Sequence, residues 1–398
     1  MNELWDDVIK SAVDFRRQLH QHPELTWQEK QTAVRVRSAL DKLGIPWRPC
    51  AGTGTVARLA PDAPGRHVAL RGDMDAIAVH EATGLPWASE VPGTMHACGH
   101  DGHMATLMAT AMWLKQHEGE LPGPVTLLFQ PAEEGGHGAL EMISDGALEG
   151  VEAIYGWHNW PLIPFGQAVC PDGVVMCGNG TFDILVRGRG GHASQPEVCR
   201  DPVLAAAAIT MALQQVVSRR LQPQHSAVLS VTSIDAPSMR TVIPSEARIG
   251  GSIRVQNMAD RDRMFEWIRT IAKATAESYG VAADVDIKNR YGPVVNHPGE
   301  AERFRGELAA ELGAGWHSDV AVPLMASEDF SYYLERIPGA FAIIGADDGQ
   351  GHDASCHSPH YDFNDRLIPV VLRLFARLAG APVPPRPEGT RDPMPAPR

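Results

Sequence analysis

The sequence predicts an α/β protein in which one discontinuous domain, built on a mostly parallel sheet, is interrupted by an inserted α+β module of ferredoxin-like order. Three observations carry this. Short apolar runs that read as buried strands, "HVALRGDMD" (67–75), "PVTLLFQPAEE" (124–134) and "VEAIYGWHN" (151–159), alternate with helical patterns such as 101–119, as in a sheet with crossover helices. Between about 181 and 290 the order changes to strand, helix, strand, strand, helix, strand, the split βαββαβ unit. The first rhythm then resumes, and a chain of 398 residues is long enough for two cores.

Taken in order, residues 6–20 and 28–43 carry apolar positions at helical spacing, and Gly44 stops the second. In the insert, 181–190 reads as a strand and 201–220 as a helix, with Asp201 at its cap and Pro202 in its first turn. Residues 226–235 and 245–255 read as strands, 260–280 as a helix closed by Gly280, and 281–289 as the last strand of the module. A helix over 299–313, a strand over 340–346 and a helix over 363–380 complete the first domain. The expected division is 1–180 and 291–380 for the discontinuous domain and 181–290 for the insert, with 381–398 a loose proline-rich tail.

Hydrophobic residues at 44% and charged residues at 21% place the chain among globular proteins. A formal net charge of −13 argues against nucleic acid as a partner, whose binders need a basic footprint. It also means that an anionic ligand needs its own local cation. The opening "MNELWDDVIK" lacks the apolar segment of a signal peptide, and no apolar run is long enough to span a membrane. Six irregularly spaced cysteines make no disulfide framework, so the expectation is a reduced, cytoplasmic protein.

The stretch "MHACGHDGHMAT" (95–106) concentrates metal-ligating residue types. Cys98 and His100 stand two apart before a helix, and a thiolate with an imidazole suits zinc or a similar borderline ion. Taken alone, such a pair is more often a polar turn. Glu134 and His158 strengthen the metal reading, because both close strands whose carboxyl ends share one rim, where α/β sheets bind ligands. His357 and His360 follow on a loop after the last strand. A cysteine-rich structural zinc site fits less well, since these donors are mixed and scattered. Glu133 and Glu134 are adjacent, and successive side chains on an extended segment point apart. One can bind metal while the other shuttles protons, although two solvated glutamates in a turn is the simpler reading of the pair by itself. His192, in the glycine-rich "GRGGHASQPE" (188–197), reads on its own as an exposed loop residue.

The motifs "GDMDA", "MHACGHDGHMA", "LFQPAEEGG", "GWHNWP", "GRGGHASQP", "ASEDFSYY" and "CHSPHYDFND", in this order, resemble those of the hippurate hydrolase-like amidohydrolases. That family comprises N-acyl-amino-acid and auxin-conjugate amidohydrolases, relatives of the dinuclear metallo-carboxypeptidases and aminoacylases. The resemblance spans roughly residues 10–380. It implies a catalytic domain holding two divalent ions (zinc, manganese, cobalt or nickel) and a ferredoxin-like lid that mediates dimerisation. Cys98, His100, Glu134, His158 and His357 match the family's metal ligands, with the histidine of "HSP" preferred over His360. Glu133 matches the general base, His192 the lid histidine that holds substrate or its oxyanion, and Asp75 and Asp101 acidic positions that orient ligands. Two departures bear on specificity: "RGDMDAIAV" lacks the proline usual after "DMDA", and "ASQPE" lacks the histidine that often follows that proline.

The expected activity is hydrolysis of N-acyl amino acids to a carboxylic acid and an amino acid by metal-activated water. Glu133 would take the water's proton and return it to the leaving nitrogen. Arg254, at the end of the strand 245–255, is the cation expected to meet the substrate carboxylate. A dinuclear metallo-dipeptidase or carboxypeptidase is the nearest alternative. A metal-free cysteine hydrolase, with Cys98 as nucleophile and His100 as base, leaves Glu134 and His158 without a role. A non-catalytic metal or conjugate binder has no need of Glu133.

Overall fold

In the computed structural model, residues 2–385 are described; the tail expected over 381–398 falls, from 386 on, outside the described residues. The chain divides into two compact units. One comprises the residues up to Val175, Val295–Val322 and the residues from Asp329 onward; the other comprises Met176–Val294 and Pro323–Glu328.

The first unit carries a seven-stranded sheet in the order Trp47–Cys50, Gly54–Leu59, Val125–Gln130, Val68–Asp73, Ala153–Pro164, Gly339–Asp347, Ala168–Val169. Its four central strands are mutually parallel and its edges antiparallel. Val68–Asp73 and Val125–Gln130 are buried along their whole length. A parallel strand covered on both faces is buried residue after residue in this way. The helix His100–Gln116 is likewise buried on nearly every side, as a helix apolar all round must be. The hydroxyls of Thr106 and Thr110 donate back to the carbonyls of Gly102 (2.7 Å) and Thr106 (2.8 Å), which removes their need for water. The helix Lys30–Leu43 ends where expected, at Gly44 in the left-handed region (φ 65°).

Three details differ from the sequence reading. The hairpin Trp47–Cys50/Gly54–Leu59 was not anticipated. The strand expected to stop near His158 runs on to Pro164, paired with Gly339–Asp347, so His158 lies within a strand rather than at its end. The helix expected over 201–220 spans Pro202–Leu213 and is followed by a wider π turn, Val216–Arg220, which keeps Val216 buried. Its cap is as expected, with Asp201 accepting from the Val203 and Leu204 N–H groups.

The second unit is a four-stranded antiparallel sheet, Ala227–Asp235, Glu246–Val255, Gly178–Arg187, Ala282–Asn289. Helices Pro202–Leu213 and Met258–Ser278 contribute Ile209, Leu213, Phe265 and Ile268 to its core. Chain order and sheet order together make the ferredoxin-like βαββαβ module. Among the described residues, no helix is long and apolar enough to cross a membrane.

Glu300 offers a test of the packing with residues outside the candidate ligand set. Glu300, on the helix Pro298–Leu312, accepts from Arg66 Nη1 at 3.2 Å and from the hydroxyl of Tyr155. Burial alone would raise its pKa, but the bonds from Arg66 and Tyr155 and the arginine charges outweigh it and hold the carboxyl below its ordinary 4.5. A depressed carboxyl stabilises the fold above its unfolded value and loses that contribution as pH falls through the folded one. Glu300→Gln is expected to cost about 1 kcal/mol at pH 7, discounted for the exposure of Arg66. Urea unfolding of both proteins should show that difference shrinking below pH 4.5. An undiminished difference at pH 3.5 would mean that the charge is irrelevant there.

Candidate metal centre

Each donor is placed by local backbone chemistry. Cys98 and His100 flank Gly99, which caps the helix at φ 92°. A Cβ at Gly99 would stand 2.4 Å from the Tyr361 hydroxyl and 2.5 Å from Asn159 Oδ1. Both the left-handed conformation and the space therefore require glycine. The loop bearing His357 is tied to the same turn, where the His357 N–H donates to the Ala97 carbonyl at 2.7 Å. Glu133 and Glu134 follow Ala132, itself in the left-handed region at φ 56°. Their backbone N–H groups donate to the two oxygens of Asp75, each at 3.0 Å. Thr26 donates to the same carboxylate at 2.8 Å. Burial would raise the pKa of Asp75, but hydrogen bonds from His100, the Glu134 N–H and Thr26 hold it below the ordinary carboxyl value.

The imidazoles are oriented by their outer nitrogens. His100 Nδ1 donates to the Asp75 carbonyl at 2.8 Å, and His158 Nδ1 donates to the Asn159 carbonyl at 2.7 Å. In each ring this leaves Nε2 with its lone pair free to ligate. Five groups of three donor atoms lie within 4.8 Å of one another among the described residues, and three consist of residues singled out in the sequence: Cys98 with His100 and His158, Cys98 with Glu134 and His357, and His100 with Glu133 and Glu134. Cys98 Sγ is 3.4 Å from His158 Nε2, and His357 Nε2 is 3.0 Å from Glu134 Oε1. A divalent cation fits this set. Thiol, imidazole and carboxylate donors converge, and the fully buried His100 Nε2 has no hydrogen-bond partner, the nearest acid oxygen being Asp73 Oδ2 at 3.5 Å. A buried nitrogen without a hydrogen-bond partner is costly, and the acid groups Asp73, Asp75 and Glu134 around it favour a positive charge on or beside this ring.

The sequence-derived residues do not all fall in one place. Cys98, His100, Glu133, Glu134, His158 and His357 come together in the first unit. His360 joins no donor group among the described residues. Asp75 serves the ligands through its carbonyl and its carboxylate, as described. Asp101 instead binds His20 Nδ1 at 2.8 Å and Arg16 Nη1 at 3.3 Å, so it anchors the helix Asn2–Gln21 rather than orienting a ligand.

His192 and Arg254 belong to the second unit. His192 sits on a two-residue strand, Gly191–His192, paired with Val242–Ile243, and not on an irregular loop. Its side chain is exposed, and its Nδ1 accepts from the Ser194 N–H at 3.2 Å and contacts the Ser194 hydroxyl at 2.7 Å. The ring proton therefore resides on Nε2, which makes that nitrogen a donor. Arg254 donates to the carbonyls of Met325 and Ile253, each at 3.1 Å.

Sequence reasoning missed a buried network next to Glu133. Arg71 Nη1 pairs with Asp73 Oδ2 at 2.5 Å and Arg71 Nη2 with Asp329 Oδ1 at 3.1 Å. Gln130 also donates to Asp329, at 2.8 Å, and the Asp329 N–H reaches Glu133 Oε1 at 3.3 Å. His103, the third histidine of the opening motif, is used up structurally. Its Nδ1 meets Asp73 at 2.6 Å and its Nε2 meets Asn159 Oδ1 at 2.8 Å. The available signal was a charged "RGD" inside an otherwise apolar strand.

Comparison with known proteins gives this geometry its context. The chain is 37% identical over 378 residues to the IAA-amino acid hydrolase ILR1-like 2 of Arabidopsis thaliana, covering 94% of this chain and 85% of the plant protein. It is 36% identical over 377 residues to the hippurate hydrolase of Campylobacter jejuni, covering 94% and 97%. The solved structure of the Bacillus subtilis YXEP protein, described as a dinuclear metal binding peptidase from the M20 family, superposes with a TM-score of 0.79 at 32% identity, covering 94% and 98%. The profile of peptidase family M20/M25/M40 matches residues 69–381. With most of its length matched by that profile, and relatives this similar along nearly all of it, the chain belongs to peptidase family M20/M25/M40.

Proposed function

We propose that the protein hydrolyses the amide bond of N-acyl amino acids, releasing a carboxylic acid and a free amino acid. The observation that supports this best is that two donor groups share the Cys98 thiol while the buried Glu133 carboxylate stands beside them. Cys98, His100, Glu134, His158 and His357 would hold two divalent ions, and the mixed sulfur, nitrogen and oxygen donors suit zinc, manganese, cobalt or nickel. Such ions, when bound, acidify water and polarise a carbonyl. Glu133 accepts the proton of the attacking water and delivers it to the leaving nitrogen. His192, protonated on Nε2, donates to the oxyanion. Arg254, held by two carbonyls through Nε and Nη1, meets the substrate carboxylate, which an acidic protein must otherwise repel.

The ferredoxin-like unit would act as a lid and a dimerisation module. Its strand Ala227–Asp235 is an edge of its sheet, and Leu204 and Met211 stand exposed on the helix Pro202–Leu213. Six free cysteines suit a reducing compartment.

A metal-reconstituted screen of N-acetyl, N-benzoyl and indole-acetyl amino acids beside dipeptides, reading released amine, tests the activity. Turnover of dipeptides alone would replace it with a dipeptidase. For the lid, His192→Ala is expected to lower kcat by ~10²-fold or more, as loss of one oxyanion donor does elsewhere, with metal content unchanged. If a partner chain supplies this histidine, mixing His192→Ala with Glu133→Gln chains restores activity in heterodimers. No recovery despite proven subunit exchange assigns the histidine to its own chain, and a fully active His192→Ala removes it from the mechanism.

A further inference from the structure

Cys356 has no part in the proposed hydrolysis, yet it stands at the metal centre. The His357 N–H donates to the Ala97 carbonyl at 2.7 Å, which lays the peptide joining Cys356 to His357 against the peptide joining Ala97 to Cys98. The two cysteines flank that bond, and their thiols are in hydrogen-bond contact with each other. Both are half-buried, whereas the other four cysteines are buried. Those four are engaged elsewhere: Cys50 with the Met142 carbonyl, Cys170 with Asn296 Nδ2, Cys177 with Met325 Sδ and Cys199 with the Gln195 carbonyl. Cys98 belongs to two donor groups, and Cys356 to none among the described residues. One sulfur of the contact is therefore a shared ligand, and the other ligates nothing.

We propose that Cys98 and Cys356 are an oxidation site, joined as a disulfide by a hydroperoxide, and that closing it takes the shared sulfur away from the ions. The inference rests on the reading of Cys98 as a metal ligand. A disulfide needs neighbouring backbones and sulfurs that can meet, and both conditions hold here. With hydrogen peroxide, the Cys356 sulfur attacks one peroxide oxygen. The O–O bond breaks, one water leaves and Cys356 becomes a sulfenic acid. The Cys98 sulfur then displaces that hydroxyl, the S–S bond forms and a second water leaves. Two thiols and one peroxide thus give one disulfide and two waters; the sulfurs together lose the two electrons that the peroxide gains, and the thiol protons leave in the waters. A metal ligand must be a thiolate, and a disulfide sulfur carries no charge. Both donor groups that contain Cys98 therefore lose it in one step. The competition also runs the other way, since ions bound to Cys98 occupy the sulfur that has to close the bond. In a reducing compartment such a disulfide is transient, which suits a switch and not a staple.

The test treats the full chain, metal-loaded or stripped with a chelator, with hydrogen peroxide. It reads the thiols titrated after unfolding, the linked peptides found by mass spectrometry without reduction, and the metal retained after desalting, none of which depends on turnover. The wild type is expected to lose two of its six thiols, to yield a peptide linked through residues 98 and 356, and to release its ions. The stripped protein should lose the two thiols faster than the loaded one. Dithiothreitol with added divalent ion should restore the thiols, the metal content and any hydrolysis. Cys356→Ser and Cys356→Ala should match the untreated wild type in metal content and rate. After peroxide they should yield no linked peptide and pass on to sulfinic acid, which dithiothreitol does not reverse. Wild-type protein that loses its metal with residues 98 and 356 unlinked would overturn the proposal, as would a Cys356→Ser chain whose loss and recovery equal those of the wild type. A linked peptide with all metal retained would uphold the oxidation site and contradict the place of Cys98 among the ligands.

Discussion

Glu133→Gln is expected to keep its metal and to lose turnover by ~10²–10⁴-fold or more, because in the proposed mechanism one group both activates the water and protonates the leaving amine. The substitution is nearly isosteric. The backbone N–H of residue 133 still reaches Asp75 Oδ1, at 3.0 Å in the native chain, and an amide oxygen can still accept from the Asp329 N–H that now meets Glu133 Oε1 at 3.3 Å. The side chain should therefore stay in place and lose only its capacity to take a proton. Elemental analysis and hydrolysis rate belong in the same experiment. Near-native activity at full metal occupancy would assign the proton transfer to another group.

The second large effect concerns Cys98. Its thiol belongs to two donor groups, one with His100 and His158 and one with Glu134 and His357. Cys98→Ser should therefore weaken metal binding throughout the centre, by more than the ~10–100-fold typical when a residue behind a ligand is changed. Excess divalent ion should partly restore the rate, and His158→Ala, which touches only one of the two groups, should lose less metal. The 3.4 Å contact from Cys98 Sγ to His158 Nε2 is also the geometry of a thiol–imidazole nucleophile pair. In that case Cys98→Ser stays inactive at every metal concentration, and the two readings separate cleanly. The imidazole that contacts the thiol is His158, so His158 rather than His100, which the sequence alone suggested, would be the base of such a pair.

What was legible in the sequence, and what was not, follows from how far apart the interacting residues lie. Cys98 and His100 stood in a motif whose residue types suit a metal, the full set with Glu134, His158 and His357 came from the family resemblance, and the βαββαβ order of the second unit could be read from its periodicities. The Arg71–Asp329 pair spans 258 positions, and nothing local to either residue names its partner. Asp101 sits beside His100 in the chain, yet the helical geometry turns it toward Arg16 and His20. The role of orienting a ligand had come to Asp101 from the family resemblance alone, and neighbours on a helix do not share a face. The strand through His158 was cut short at "HN", and the prolines at 161 and 164 speak against a continuing strand, whereas pairing with Gly339–Asp347 carries it onward. The hairpin of residues 47–59 lacks a long apolar run and is held by pairing that only the folded sheet supplies.

The central claim is that divalent ions on this ligand set are required for amide hydrolysis. The most direct measurement is amine release from an N-acyl amino acid by protein stripped with a chelator and then titrated with a single divalent ion. The account predicts no turnover in the stripped protein and a rate that rises with added ion, saturating near about two ions per chain, as in two-metal hydrolytic sites. Full turnover by demonstrably metal-free protein would contradict it.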